Sequence, residues 1–457
     1  MVLKYCVFLF LCIVLAKGKA GFGQGRQNWG FVPINEKSHM FWWLYYTSST
    51  GEYIQKPLVI WLQGGPGGSS TGIGNFLEIG PLNVDLEERE ADWTKHVNVL
   101  FVDNPVGTGF SYVSDSDIDY FAKNNSVIAQ DFLIFLKRFF HENPEFQYTP
   151  TYIFGQSYGG KMATDIGLLL YQESKLGNIL CNLKGIALGG PWISPIDSIS
   201  YWHSYLYNLG FIDYEGSEQL KNMTDFIRGV LSTGDYTKAT LYNRVVQYTV
   251  NLLTTVDFHN IMTKQVKQSS VLLNSSWLPI PIDIESVGDS MPDDFFQNFD
   301  NIKKYKGIKS SKPENLYRLM NGPVRDALNI TTEHRWGDQR RLVHSALYLD
   351  NMKPVTDVVE RLLNETDLEI SVCNGQLDLI VNTPGTLKWV NSLKWNNKNQ
   401  WTLADRTPII LENVYEGYQK RYGKLNFYWV HRAGHMVPTG NPQTMLYILK
   451  QIIGIDD

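Results

Sequence analysis

A serine, an aspartate and a histidine, each placed at the end of an apolar run, carry the chemistry that can be read in this chain. Ser157 lies in Gly155-Gln156-Ser157-Tyr158-Gly159-Gly160, directly after the β-rich stretch Tyr152-Ile153-Phe154 and ahead of a helical pattern. A serine between glycines on a strand-to-helix turn is the pattern of a nucleophile elbow, whose closed backbone leaves the hydroxyl exposed. The pattern alone is weak, because so short a match also arises by chance. A hydroxyl becomes a nucleophile when a base takes its proton, and the base needs an acid to hold its tautomer. Of the 9 histidines, His435 in Ala433-Gly434-His435-Met436-Val437-Pro438 falls between the last strand pattern and the terminal helix, where a loop can carry imidazole to the elbow. His431, at the end of that strand, reads as structural. Asp378 in Asn374-Gly375-Gln376-Leu377-Asp378 follows a strand ending at Cys373. That is the carboxyl edge where α/β sites gather.

The chain order Ser157, Asp378, His435 is the order of α/β hydrolases and differs from that of chymotrypsin and subtilisin. Taken singly, Asp378 reads equally well as a surface turn; the shared order and contexts favour a triad. A fourth element is the loop Gln63-Gly64-Gly65-Pro66-Gly67-Gly68-Ser69-Ser70 behind the apolar run Leu58–Leu62. Without side chains in the way, such a loop can aim amides at a developing oxyanion, and the amides of Gly65 and Tyr158 are assigned that role. A phosphate-binding loop is the rival reading, and the missing lysine at the Walker position counts against it.

These residues need a scaffold. Strands are expected at Met40–Tyr46, Leu58–Leu62, Val97–Val102, Tyr152–Gly155, Leu183–Leu188, Leu368–Cys373 and Leu425–Val430, with helical patterns at Val127–His141 and Lys161–Glu173 among them. Several strands are continuous apolar runs, which implies burial on both faces in a mostly parallel sheet flanked by helices, the α/β-hydrolase fold class. The first two strands, linked around Ser48–Gly51, are expected to form an antiparallel start. From Pro195 to Thr356 the alternation gives way to helical and polar segments such as Tyr201–Leu209, Ser217–Leu231 and Lys238–Leu253, read as an inserted, largely helical cap. The expected organisation is therefore a signal peptide (1–20), a first core part (21–194), a cap (195–356) and a second core part (357–457). Within the cap, Lys264–Pro313 is rich in Ser, Pro, Asp and Lys and reads as an exposed loop or cleavage site, with an ordered, uncut loop as the alternative.

The 457 residues can bury a large core, and a net charge of -5 without a basic block points away from nucleic acid and anionic membranes as partners. Lys4, the apolar run Tyr5–Leu15 and the small residues to Ala20 have the layout of a secretory signal peptide cleaved after Ala20. The run of about 11 residues is too short for a membrane span of about 20. Sequons at Asn124, Asn222, Asn274, Asn329 and Asn364 fit the secretory route. With no retention signal at the C-terminus, the expected destination is secretion or a lysosomal or vacuolar compartment. The mature chain would keep Cys181 and Cys373, read as two buried free thiols, because strand positions set them too far apart for a disulfide. No metal or cofactor is expected.

The motifs resemble those of the serine carboxypeptidase family. Trp61-Leu-Gln-Gly-Gly-Pro-Gly-Gly-Ser-Ser70 is similar to its W-L-N-G-G-P-G-C-S-S block, Asp103-Asn-Pro-Val-Gly-Thr-Gly-Phe-Ser-Tyr112 to its D-Q-P-x-G-x-G-F-S-Y block, and Gly155–Gly159 to its G-E-S-Y elbow. Phe41–Tyr46 and Asn374–Val381 look most like the retinoid-inducible branch. The resemblance implies release of C-terminal residues from peptides with a free C-terminus, through an acyl-enzyme on Ser157. It further implies that the substrate α-carboxylate is held at Gln63, Gly64, Glu78 and Gln156, and that Met436 lines the pocket of the leaving residue. There are departures. Gln63 stands where the family has Asn, the spacing from Ser70 to Glu78 is one residue longer than the common pattern, and Gln156 replaces a Glu. A glutamic acid there donates to a carboxylate only while protonated, whereas an amide donates at every pH. A lumenal binding protein that kept the fold, and an acyltransferase or esterase using the same triad, are the alternatives.

Overall fold

Runs without a polar face must be covered on both sides, and the computed structural model, which describes residues 21–264 and 314–455, shows how. An 11-stranded sheet is built from β1 (Gln27–Pro33), β2 (Ser38–Tyr45), β3 (Leu58–Leu62), β4 (Asn98–Val102), β5 (Tyr112–Val113), β6 (Thr151–Gln156), β7 (Leu183–Gly189), β10 (Glu369–Gly375), β11 (Arg406–Leu411), β12 (Val414–Tyr422) and β13 (Leu425–Val430). A separate small hairpin consists of β8 (Val256–Asp257) and β9 (Asn260–Lys264). Across the main sheet the order is β1-β2-β4-β3-β6-β7-β10-β13-β12-β11, with β5 beside β2. Pairings from β4 to β13 are parallel, and both flanks are antiparallel.

β3 shows why the runs read as they do: all five of its residues are buried. Leu58, Ile60 and Leu62 join a core with Phe132, Phe135 and Leu136 of α1 (Asn125–Glu142) and Met162 and Ile166 of α2 (Tyr158–Lys175). Val59 and Trp61 face the other core, with Met320 and with Ile448, Leu449 and Ile452 of the helix Pro442–Ile453. Each such side chain gains roughly 1.5–3 kcal/mol on burial.

The expected antiparallel start is corrected. β2 pairs with β1 and β4, and β4 lies between β2 and β3. The link after β2 is held to the carbonyl of Thr94, ahead of β4, by Thr47 Oγ1 and Ser48 N, so the chain passes β4 before entering β3. Between β7 and β10 the described chain contributes no strand to the main sheet. It forms the helices Pro195–Ser200, Trp202–Asn208, Tyr214–Ser232, Tyr236–Leu253, Glu314–Leu319 and Arg340–Ala346, and the β8–β9 hairpin, which the sequence reading did not anticipate.

Residues 1–20, Asn274 and all but the first residue of the Lys264–Pro313 stretch lie outside the described residues. Asn222, Asn329 and Asn364 are exposed, and Asn124 caps α1 by accepting from Val127 N. Both described cysteines are free, but only Cys373 is buried; Cys181 is half-buried, because it lies in the segment that leads into β7 rather than within the strand. Burial pushes the Cys373 thiol up to about 12, so it is inert at neutral pH.

Candidate active site

β6 ends at Gln156 and α2 begins at Tyr158, which leaves Ser157 alone on the turn at φ 60, ψ -124. A non-glycine residue held there stores on the order of 1–3 kcal/mol and persists only where its surroundings fix it. Here the Ser157 amide donates to the Gly189 carbonyl at 2.8 Å, and its carbonyl accepts from Gly160 N at 2.9 Å and Trp192 N at 3.0 Å. The flanking glycines are a steric requirement. A Cβ on Gly155 would stand 2.3 Å from the Gly159 carbonyl oxygen, and one on Gly159 would stand 2.1 Å from that of Leu62. Ser157 itself remains half-exposed.

The other two residues arrive on loops at the carboxyl ends of β10 and β13. His435 Nδ1 lies 2.7 Å from Asp378 Oδ2. Both are buried, and Asp378 Oδ1 accepts from Val381 N at 3.0 Å. The loops are tied together by Gln376 N to the Val430 carbonyl and Leu377 N to the Ala433 carbonyl, each at 2.8 Å. The Ser157 hydroxyl is not hydrogen-bonded to His435 here; nucleophile–base contacts often tighten only around substrate. His431 lies outside the cluster, its ring packed against Tyr418.

The glycine loop after β3 crosses directly over the elbow. A Cβ on Gly64 would sit 2.5 Å from Ser157 Cβ and 2.9 Å from Tyr158 N. The Tyr158 amide opens α2, where the first N–H groups have no intrahelical acceptor and the helix dipole favours negative charge. The Tyr158 side chain is anchored separately: its hydroxyl donates to Asp350 Oδ2 at 2.8 Å, and Asp350 pairs with the fully buried Lys161 at 2.6 Å.

Beside the elbow three polar side chains converge. Gln63 Nε2 donates to Glu78 Oε1 at 2.9 Å and to Gln156 Oε1 at 3.1 Å. Its own Oε1 accepts from Trp61 Nε1 at 2.9 Å, and Gln156 Nε2 donates to the His435 carbonyl at 3.2 Å. Glu78 is brought in despite the longer spacing because Ser70–Ile79 coils as a π-helix, which takes up more residues per turn. Arg89 clamps that segment through Nε to the Gly80 carbonyl and Nη2 to the Phe76 carbonyl. Burial pushes the Glu78 carboxyl up to about 8, outweighing the Gln63 hydrogen bond and the nearby Arg89 charge. Glu78 Oε2 is buried without a hydrogen-bond partner among the described residues. The result is a nearly uncharged group of donors below about pH 8. Met436, half-buried, follows His435 on a loop tied to this segment by Thr439 Oγ1 to the Leu77 carbonyl at 2.7 Å.

Sequence reasoning missed Arg89, the Lys161–Asp350 pair and the β8–β9 hairpin. Arg89 lies in Asp85-Leu-Glu-Glu-Arg-Glu90, which reads as a solvated charged run. Lys161 is a signal that could have been used, since a lysine on the inner face of a buried helix needs an anion.

Among the described residues no group of His, Cys, Asp and Glu is arranged to hold a metal, and no helix is long and apolar enough to cross a membrane. The family model for serine carboxypeptidases matches residues 19–454. The human retinoid-inducible serine carboxypeptidase is 39% identical over 437 residues, covering 94% of this chain and 92% of that protein. Serine carboxypeptidase-like 51 of Arabidopsis thaliana is 32% identical over 459 residues, covering 98% and 97%. The crystal structure of a prohormone-processing carboxypeptidase from Saccharomyces cerevisiae superposes with a TM-score of 0.75 at 22% identity, covering 95% of this chain and 93% of that one. That likeness shows the α/β-hydrolase fold, and with a family model spanning nearly all 457 residues the chain belongs to the serine carboxypeptidase family.

Proposed function

We propose that the protein removes C-terminal residues from peptides, with Ser157 as nucleophile, His435 as general base and then acid, and Asp378 as the group that orients it. His435 takes the hydroxyl proton as Ser157 Oγ attacks the last peptide carbonyl, and the amides of Gly65 and Tyr158 receive the oxyanion. His435 then protonates the departing amine, the C–N bond breaks, and the free amino acid leaves an ester on Ser157. Water, deprotonated by the same imidazole, splits the ester and restores the hydroxyl.

The exopeptidase reading rests on one observation above others: the convergence of Gln63, Glu78 and Gln156 beside the elbow, with Glu78 held protonated up to about pH 8. Neutral donors suit a substrate α-carboxylate, which two ionised glutamates would repel. Gly64 and Met436 complete that pocket. The helical segment 195–356 serves as a cap between core parts 21–194 and 357–457, residues 1–20 direct the chain into the secretory route, and the sequons carry glycans on its way to secretion or an acidic compartment. Labelling with a fluorophosphonate tests the nucleophile: the native protein is expected to label and Ser157→Ala not to, and equal labelling of both would overturn the assignment.

A further inference from the structure

We propose that the β8–β9 hairpin, part of the helical insert, holds the catalytic dyad in place, with Asp257 as its positioning residue. The proposal rests on the reading of His435 as base.

The hairpin grips both loops by backbone hydrogen bonds. The His435 amide donates to the His259 carbonyl at 2.6 Å. On either side of Asp378, Ile261 N donates to the Leu377 carbonyl at 3.0 Å, and Leu379 N and Ile380 N both donate to the Phe258 carbonyl, at 3.1 and 3.0 Å. Contact is close enough to dictate sequence: a Cβ on Gly434 would stand 2.2 Å from the His259 carbonyl oxygen, so any side chain there would push the hairpin away from the base. Phe258 is buried edge-on against Trp202, at 5.1 Å between ring centres, which fastens the hairpin to the insert.

Buried Phe258 and Ile261 and the bonds to the two loops anchor the turn, and its own polar side chains shape it, Asn260 Oδ1 accepting from Met262 N at 3.0 Å. Strands of two and five residues do not stand alone in water. The Asp257 and His259 side chains are 36% and 55% exposed, so burial does not fix them. They are held by polar contacts instead: the Asp257 carboxylate accepts from His259 N at 2.8 Å, lies 3.2 Å from His259 Nδ1, and accepts from Thr263 Oγ1 at 3.4 Å. Such a side-chain turn closes the backbone that presents the His259 carbonyl to His435. The titratable groups around the base are Asp378, Asp257, the His259 ring at 5.3 Å between ring centres, and Tyr205, whose hydroxyl donates to the Gln376 carbonyl. An error of about 1 Å in a catalytic group costs on the order of 100-fold in rate, and partial fraying of this turn should cost about tenfold.

The test compares Asp257→Ala with Asp257→Asn, which keeps the accepting oxygen but loses the charge. For Asp257→Ala the expected result is a kcat about tenfold lower with KM within about twofold, and faster hydrogen exchange at the His435 amide. Asp257→Asn should stay within about threefold of the native kcat and keep the acidic limb of its pH profile. The proposal is overturned if Asp257→Ala matches the native protein in kcat and exchange, or if Asp257→Asn loses as much, which would make the charge rather than the turn responsible. Should Asp257→Ala not fold, rapid exchange of the His435 amide in the native protein would overturn it alone. Failure of the base reading would show separately, as fluorophosphonate labelling of the native protein that survives His435→Ala.

Discussion

Gln156→Glu replaces one amide nitrogen by oxygen at the most informative point of the site. In the native chain Gln156 Nε2 donates to the His435 carbonyl and Oε1 accepts from Gln63. A carboxylic acid can reproduce both contacts. A carboxylate keeps only the second and sets a negative oxygen against a carbonyl, beside Glu78 and the incoming α-carboxylate. The side chain is buried, so desolvation, and the α-carboxylate once substrate is bound, push the new carboxyl above the ordinary range near 4.3, into the window between about pH 5 and 7. Above its pKa, KM rises about tenfold per pH unit. The variant should therefore lose on the order of tenfold or more in affinity between pH 5 and 7. Of the three side chains that converge there in the native protein, Glu78 alone is ionisable, its carboxyl pushed up to about 8, so this group should change KM by about twofold at most over the same range. The assay is KM against pH for an N-blocked dipeptide with a free C-terminus. Parallel profiles would refute the reasoning, because they would mean that residue 156 does not face the carboxylate.

Three further outcomes follow from the geometry. Gly64→Ala should fold and yet lose fluorophosphonate labelling, since the added methyl would stand 2.5 Å from Ser157 Cβ; retained labelling would mean that the loop does not cross the elbow as described. Glu78→Gln should raise thermal stability increasingly as pH rises. The unfolded carboxyl ionises near its ordinary 4.5 while the folded one keeps its proton to about 8, so the native protein loses stability across that interval and the variant does not; a midpoint difference independent of pH would count against it. Lys161→Met strands the Asp350 carboxylate in the interior and should destabilise by roughly 3–5 kcal/mol, while Lys161→Met with Asp350→Leu should recover much of the loss; equal thermal midpoints for the single and double variants would contradict this.

The parallel core of the sheet was legible because buried strands leave long apolar runs: Leu58–Leu62 and Leu425–Val430 match β3 and β13 residue for residue. β1, with Gly30 and Pro33, and the exposed, charged pair β11–β12 lack that signature. The pairing of β2 was misjudged because sequence adjacency does not reveal a third strand inserted from downstream. Motif context singled out Ser157, Asp378 and His435 as candidates, and the structure brings the last two within 2.7 Å. It did not reveal how Glu78 reaches Gln63, since a π-helix leaves no pattern that a 3.6-residue period would detect. The hairpin was invisible for a related reason: a carbonyl that positions a histidine is a backbone group, and no residue type announces it.

We propose that Ser157, Asp378 and His435 serve a site built for a free C-terminus. This is tested most directly by the turnover of one N-blocked dipeptide as its free acid and as its C-terminal amide, with Ser157→Ala as control. The native protein is expected to hydrolyse the acid at least about 100-fold more efficiently than the amide, and Ser157→Ala to hydrolyse neither. Equal or faster turnover of the amide, or full activity without the serine hydroxyl, would contradict it.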